Sequence, residues 1–255
     1  MSGGRTERRR IDVEMVARGL ADSRARAQDL VRRGHVLLDG APIGRPSQPV
    51  GDDQRIELAG TAPAWVSRAA EKLIAGLDAF GLDPAGRLCL DLGASTGGFT
   101  EVLLARGAAH VVAVDVGHGQ LHPRIAADER VISIEGLNAR DLTAEQLGAA
   151  PGFLTCDVSF ISLTLALPPA LPLCAPGAEA VVLVKPQFEV GRDGLGSGGI
   201  VRDASLATAA AERVAAWLDG RDDWQVLGIT PSPLEGGDGN REFLLGARRR
   251  DPLPG

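Results

Sequence analysis

No tyrosine occurs in the 255 residues, cysteine appears only three times, and 25 of the 27 basic side chains are arginine, leaving Lys72 and Lys185 as the only lysines. With three tryptophans and six phenylalanines besides, aromatic stacking platforms are scarce, and base-by-base reading of a nucleic acid cannot be argued from the sequence. Cys89, Cys156 and Cys174 lie far apart in apolar settings such as RLCLDL and FLTCDV. Neither metal-ligand spacing nor disulfide parity suits them, so they read as small buried hydrophobes. His35, His110, His118 and His122 are scattered without a third ligand, and no metal site is expected. No apolar run approaches the length that crosses a bilayer. MSGGRTERRR is basic but is followed by mixed charges in IDVEMVARGL rather than an apolar signal core. The expectation is a cytoplasmic protein with no stable membrane association; nothing in the sequence fixes its oligomeric state.

The net charge of −6 argues at first against a nucleic-acid partner, yet residues 1–48 carry ten arginines against six acids, a local +4, which leaves −10 for the remainder. Organisation follows the charge. RIDVEMVARGL and SRARAQDLVRRG read as two short helices, with Ser23 as an N-cap and Gly34 as a stop. HVLLDG leads a strand into a turn, and QRIEL is another strand. Residues 8–60 therefore form a small α+β domain, 61–66 a linker containing Pro63, and 67–248 a larger domain. There a first helix is followed by RLCLD, VVAVD, VISIE, FLTCD, AVVLV, WQVLGIT and REFLLGA, with helices between them, including one around 119–127 and a long one at 204–218. Continuous apolar strands ending in an acid or polar residue indicate a mostly parallel, doubly wound α/β sheet covered on both faces. GRDGLGSGG at 191–199 reads as a mobile loop, a plain connection or a flap.

DLGASTGGFT, residues 91–100, follows the first strand of that sheet. Its glycines allow a tight turn close to a ligand, and the helix after it offers free N–H groups. Asp115 closes the next strand about 20 residues on, where a carboxylate can hold ribose hydroxyls. The loop is neither G-x-G-x-x-G nor G-x-x-x-x-G-K-[ST], so dinucleotide and ATP readings lose support and S-adenosylmethionine, a ribose-bearing ligand without pyrophosphate, suits it better.

Asp157 ends FLTCD and Lys185 ends AVVLVK, so adjacent strands would bring both to the carboxyl edge where open α/β sheets bind ligands. If the last strand runs antiparallel, Glu242 at its start joins them, and Lys72 on the preceding helix can reach across. Singly, each acid reads as a surface charge or a helix cap; together, with lysine so rare, they read as a site. A lysine can lose its proton when burial and a neighbouring cation depress its pKa, whereas arginine stays charged. Two carboxylates push the other way, so Lys185 either accepts a hydroxyl proton or only orients the hydroxyl. In the small domain, Arg26 and Arg33 share a helical face with Arg24 and Arg32 nearby. Besides a solvated surface, such a patch can hold RNA phosphates that the acidic domain would repel.

The order RIDVEMVARGLADSRARAQDLVRRGHVLLDG, WVSRAAEKL, DLGASTGGFT, AVDVGHGQL, CDVSFISL, LVKPQF, GGIVRD and GNREF resembles the TlyA family, ribosomal RNA 2′-O-methyltransferases often labelled hemolysins. The resemblance spans residues 8–247. It implies a Rossmann-like class I methyltransferase sheet of the FtsJ type, its last strand antiparallel, and an RNA-binding domain like that of ribosomal small-subunit protein four. It also implies a catalytic tetrad on Lys72, Asp157, Lys185 and Glu242, with Glu235 as a competing acid. S-adenosylmethionine would be held by Asp91, Gly93, Ala94, Ser95, Thr96, Gly97, Gly98 and Asp115. Arg10, Arg24, Arg26, Arg32 and Arg33 would contact RNA. The implied substrate is cytidine ribose in small- or large-subunit rRNA; a membrane-active hemolysin and a non-catalytic RNA-binding assembly factor are the alternatives.

Overall fold

The computed structural model describes residues 8–21, 24–59 and 65–251. Its chain divides into two compact units, residues 1–68 and 69–255. Ser23 and residues 61–64 of the expected linker lie outside the described residues.

In the first unit, the short strand β1 (Arg9–Arg10) leads into α1 (Ile11–Ala17) and α2 (Arg24–Arg32). Then come β2 (Val36–Leu38), β3 (Ala41–Pro42), β4 (Pro49–Val50) and β5 (Ile56–Leu58). The sheet order is β3-β2-β5, with β1 paired to β4. Ile11, Met15, Ala27, Leu30, Val31 and Val36 pack its core. Asp12 is also fully buried, receiving Arg10 through two 2.9 Å bonds, Gln28 at 2.7 Å and Arg24 at 3.3 Å. The Arg10 hydrogen bonds dominate and hold this carboxyl far below the usual carboxylate range.

The second unit begins with α3 (Ala69–Phe80), β6 (Leu88–Leu92), α4 (Gly98–Ala105), β7 (His110–Asp115), α5 (Pro123–Ala126), β8 (Val131–Glu135) and α6 (Ala144–Leu147). It continues through β9 (Phe153–Cys156), α7 (Leu163–Ala166), β10 (Glu179–Val184), α8 (Ala204–Asp219), β11 (Trp224–Pro231) and β12 (Phe243–Arg249). Seven strands form one sheet in the order β11-β12-β10-β9-β6-β7-β8. From β10 to β8 every pairing is parallel, while β12 runs antiparallel to both neighbours. This is the expected Rossmann-like sheet with its last strand reversed. All six residues of β10 are buried, as a central strand covered on both faces requires.

Two elements differ from the sequence expectation. The helix expected around 119–127 is only Pro123–Ala126, because Gly119, with a φ of +61°, keeps the preceding chain in a loop and Pro123 sets the first helical position, capped by the His122 ring. Residues 191–199 form two tight turns, Arg192–Gly194 and Ser197–Gly199, closed by a Leu195–Val201 bridge. The buried Asn240 side chain fastens them, accepting from Val201 N–H at 2.9 Å and donating to Gly199 O at 3.1 Å.

Candidate active site

Strand register brings the ionisable residues together. Val184 of β10 lies opposite Phe243 of β12, so Lys185 and Glu242 occupy the next rung at the carboxyl edge. Asp157 follows β9 on the other side of β10. Helix α3 reaches this edge because Gly76 lets it lie close on the sheet: a Cβ there would stand 2.7 Å from Val181 Cγ1. One turn earlier, Lys72 forms an ion pair with Glu242. The four residues thus form two tiers. Lys72 and Glu242 have side chains only 6% and 3% exposed, whereas those of Lys185 and Asp157 are 13% and 17% exposed and lie 2.6 Å apart. Lys185 also donates to Ser159 Oγ at 2.8 Å. Glu235 is exposed.

Burial alone would lower the Lys185 pKa, but attraction and hydrogen bonding to Asp157, with Glu242 beyond, outweigh it and hold the ammonium above the ordinary lysine value. Glu242 therefore acts on Lys185 through its field, while its own ion pair is with Lys72. Burial also raises the Glu242 carboxyl, incompletely offset by Lys72 and Lys185.

Beside the cluster opens a cavity of about 880 Å³, lined among others by Gly93, Ser95, Asp115, Asp157, Ser159, Phe160 and Phe188. Asp115 accepts from the backbone N–H of Ser95 at 2.8 Å and of Gly117 at 2.7 Å. Each oxygen retains capacity for a further donor on the cavity side. Only Gly93, Ser95 and Asp115 of the eight expected ligand residues line this wall. Ala94, Thr96, Gly97 and Gly98 form the underside of the turn and the start of α4, held by Ala94 N–H to Val114 O and Gly97 N–H to Ala94 O. Asp91 is fully buried beneath the loop, where its oxygens accept from Thr100 at 2.7 Å and Thr155 at 2.9 Å. Burial raises its pKa to about 6. Its hydrogen bonds tie the end of β6 to α4 and to β9.

Gly93 joins loop and cluster. Its φ is +79°, and a Cβ would stand 2.6 Å from the Asp157 carbonyl oxygen. Gly93→Ala is expected to destabilise the fold by about 1–3 kcal/mol and to displace Asp157, which thermal unfolding and donor-binding calorimetry would register together. An unchanged affinity and midpoint would show that the approach is looser than this geometry.

Neither residue type nor spacing sets Ser159 and Phe160 apart in the sequence, although both stand inside CDVSFISL. Phe160 is 91% exposed, has a left-handed φ of 65° and packs its ring 5.3 Å from that of Phe188. An exposed, strained aromatic beside a cavity is a functional signal in a chain with so few aromatics.

In the first unit the five arginines separate. Arg26 donates to the Trp65 and Val66 carbonyls at 3.1 and 3.0 Å and pairs with Asp29, as does Arg33. Arg10 and Arg24 hold Asp12 while remaining about half exposed. Arg32 is exposed. The face expected from Arg26 and Arg33 is thus largely engaged internally, because Asp29 sits between them at helical spacing.

Two families match the chain, the FtsJ-like methyltransferases over residues 65–249 and the S4 domain over residues 9–56. The 16S/23S rRNA (cytidine-2′-O)-methyltransferase TlyA of Mycobacterium tuberculosis is 47% identical over 94% of this chain and 90% of its own length. Hemolysin A of Brachyspira hyodysenteriae is 37% identical, over 92% and 98%. A solved structure of a hemolysin-labelled protein from Streptococcus thermophilus is 38% identical and superposes with a TM-score of 0.75 over 96% of this chain and 90% of that one.

Proposed function

The chain belongs to the FtsJ-like methyltransferases and, among them, to the TlyA family, and on that footing we propose that it methylates cytidine 2′-hydroxyls of ribosomal RNA, with small- and large-subunit particles as candidate substrates. The observation that carries the reading is the two-tier cluster of two lysines and two carboxylates at the edge of a cavity that Asp115 also lines. S-adenosylmethionine, the family's donor, supplies an electrophilic methyl group on a cationic sulfur. The residues present fit it: Gly93 lets the loop close on the Asp157 backbone so that both line one cavity, and Asp115 faces that cavity with acceptor capacity for ribose hydroxyls.

An ammonium has three N–H donors in a compact head. Lys185 directs one to Ser159 and stands 2.6 Å from Asp157 Oδ1 as an ion pair, and a remaining N–H is assigned to the ribose 2′-oxygen, which it orients for transfer. Asp157 lies at the same nitrogen and lines the cavity, so its carboxylate is within reach of the hydroxyl proton as the C–O bond forms. Lys72 and Glu242 hold the outer pair's field from behind. Phe160 and Phe188 offer a ring face for an unstacked base. Capture of RNA falls to the basic first unit, with Arg32 and the exposed parts of Arg10 and Arg24 as phosphate contacts. Such a substrate implies work in the cytoplasm. Among the described residues no helix is long and apolar enough to cross a membrane.

The test is transfer of labelled methyl groups from S-adenosylmethionine to purified bacterial subunits, with ribose methylation mapped on the RNA. Binding of subunits with no transfer and no donor affinity would instead favour an assembly factor. The pH profile separates the two roles of Lys185. Because its folded pKa lies above the ordinary lysine value, the ammonium persists through neutral and mildly alkaline pH. The single-turnover rate is expected to stay level from about pH 7 to 9 and to fall only as pH rises through that pKa. A rise of about tenfold per pH unit over the same range would make Lys185 a general base instead.

A further inference from the structure

Residues 157–162 after β9 line the cavity together with Phe188, and the segments 157–163 and 185–189 that carry them are tied to each other at three levels. Lys185 binds Asp157 and Ser159 at one end, and the Phe188 and Phe160 rings meet in the middle. At the far end Glu189 accepts from Ser162 Oγ at 2.6 Å through one carboxylate oxygen and from Leu163 N–H at 2.8 Å through the other. No step of the reaction uses Glu189. It stands at the end of the tight turn Pro186–Phe188, whose backbone bond from Glu189 N–H to Pro186 O at 2.9 Å fixes the side chain's origin.

What lies between the anchored ends explains the tie. Phe160 has a left-handed backbone and a side chain almost wholly in solvent. A bulky residue leaves that conformation unless its surroundings over-determine it. Its ring touches Phe188, and beyond that the turn is held by Lys185 on the Asp157–Ser159 side and by Glu189 on the Ser162–Leu163 side. Glu189 closes the ring of restraints from the same segment that carries Lys185, so lysine and aromatic platform keep a fixed separation.

We infer that Glu189 is a positioning residue that locks the Phe160 turn in the geometry that receives the target nucleotide, so that its loss weakens engagement of RNA rather than donor binding. The inference rests on the reading that this cavity receives a ribose. Glutamine at 189 can reproduce both bonds, its carbonyl accepting from Leu163 N–H and its amide donating to Ser162 Oγ; alanine can make neither.

The experiment uses the full chain with bacterial ribosomal subunits, comparing Glu189→Ala and Glu189→Gln with the parent protein. Alongside kinetics it follows the Phe160 resonance in fluorophenylalanine-labelled protein, assigned by Phe160→Leu. For Glu189→Ala the KM for subunits is expected to rise about tenfold with kcat within about twofold. Affinity for S-adenosylhomocysteine should be unchanged and the Phe160 signal shifted and broadened, and Glu189→Gln should restore both. An unmoved signal with unchanged KM, an equal defect in both variants, or a parallel loss of S-adenosylhomocysteine affinity would overturn the inference. If Glu189→Ala does not fold, Glu189→Asp, one methylene too short to span both partners, is read by the same criteria. Should the parent protein methylate no subunit, the functional reading fails, while the Phe160 signal still decides whether Glu189 holds the turn.

Discussion

Lys185→Arg is expected to slow methyl transfer about 100-fold, the cost of misplacing a reacting group by about 1 Å, while donor affinity and folding stay near those of the parent protein. Arginine keeps the positive charge and has a good partner in Asp157, so the ion pair survives as a bidentate contact. What it loses is shape. Lys185 serves Asp157 at 2.6 Å and Ser159 at 2.8 Å from a single nitrogen, and a remaining N–H projects from that same point. A planar guanidinium spreads its donors over a wider fork on a longer stem, so it cannot meet both partners and leave a donor at the same place. Lys185→Ala should be slower still, since neither charge nor donor remains. Single-turnover rates on purified subunits, beside calorimetry with S-adenosylhomocysteine, check both variants. Undiminished transfer by Lys185→Arg would mean that only charge is needed, and the three-donor account would be wrong.

The scarcity of lysine is what makes this residue conspicuous in the sequence. In a chain that uses arginine for 25 of its 27 basic side chains, a lysine at the end of a buried strand marks a place where arginine does not serve. Strand direction is legible for a related reason: continuous apolar runs ending in Asp157 and Lys185 fit a parallel sheet, and Glu242 reaches the same edge only if β12 is reversed. The roles within the cluster are not legible. Sequence order cannot say that Glu242 pairs with Lys72 while Asp157 pairs with Lys185, because that depends on how closely Gly76 lets α3 approach the sheet. Asp91 shows the same gap. It looks like a ligand residue by position, yet Thr100 and Thr155 occupy both its oxygens inside the core. Arginines mislead in the opposite sense, since helical spacing places Arg26 and Arg33 on one face without revealing that Asp29 engages them both. Phe160, within CDVSFISL, and Glu189, just past LVKPQF, carry no signal at all, for strain and long-range hydrogen bonds have no signature in spacing.

The inner ion pair is expected to be worth more to the reaction than to the fold. Lys72 and Glu242 are nearly sealed from solvent, and removing water from both charges costs about as much as their attraction returns. Replacing one partner, as in Lys72→Met or Glu242→Leu, strands a buried charge and should destabilise the second unit by about 3–5 kcal/mol. Replacing both, in Lys72→Met/Glu242→Leu, should leave stability unchanged or raise it by about 1–4 kcal/mol, while methylation is lost because the field behind Lys185 is gone. The pH dependence has a definite sign. The folded pKa of Glu242 lies above its ordinary 4.5, so its contribution to stability is complete below that value and is lost as pH rises through the raised folded pKa. The double variant should therefore lose less stability than the parent protein between mildly acid and neutral pH. Denaturant unfolding of the four proteins across that range closes the double-mutant cycle. If the double variant proves as unstable as the worse single one, the pair is a structural necessity, and its burial is not a cost borne for catalysis.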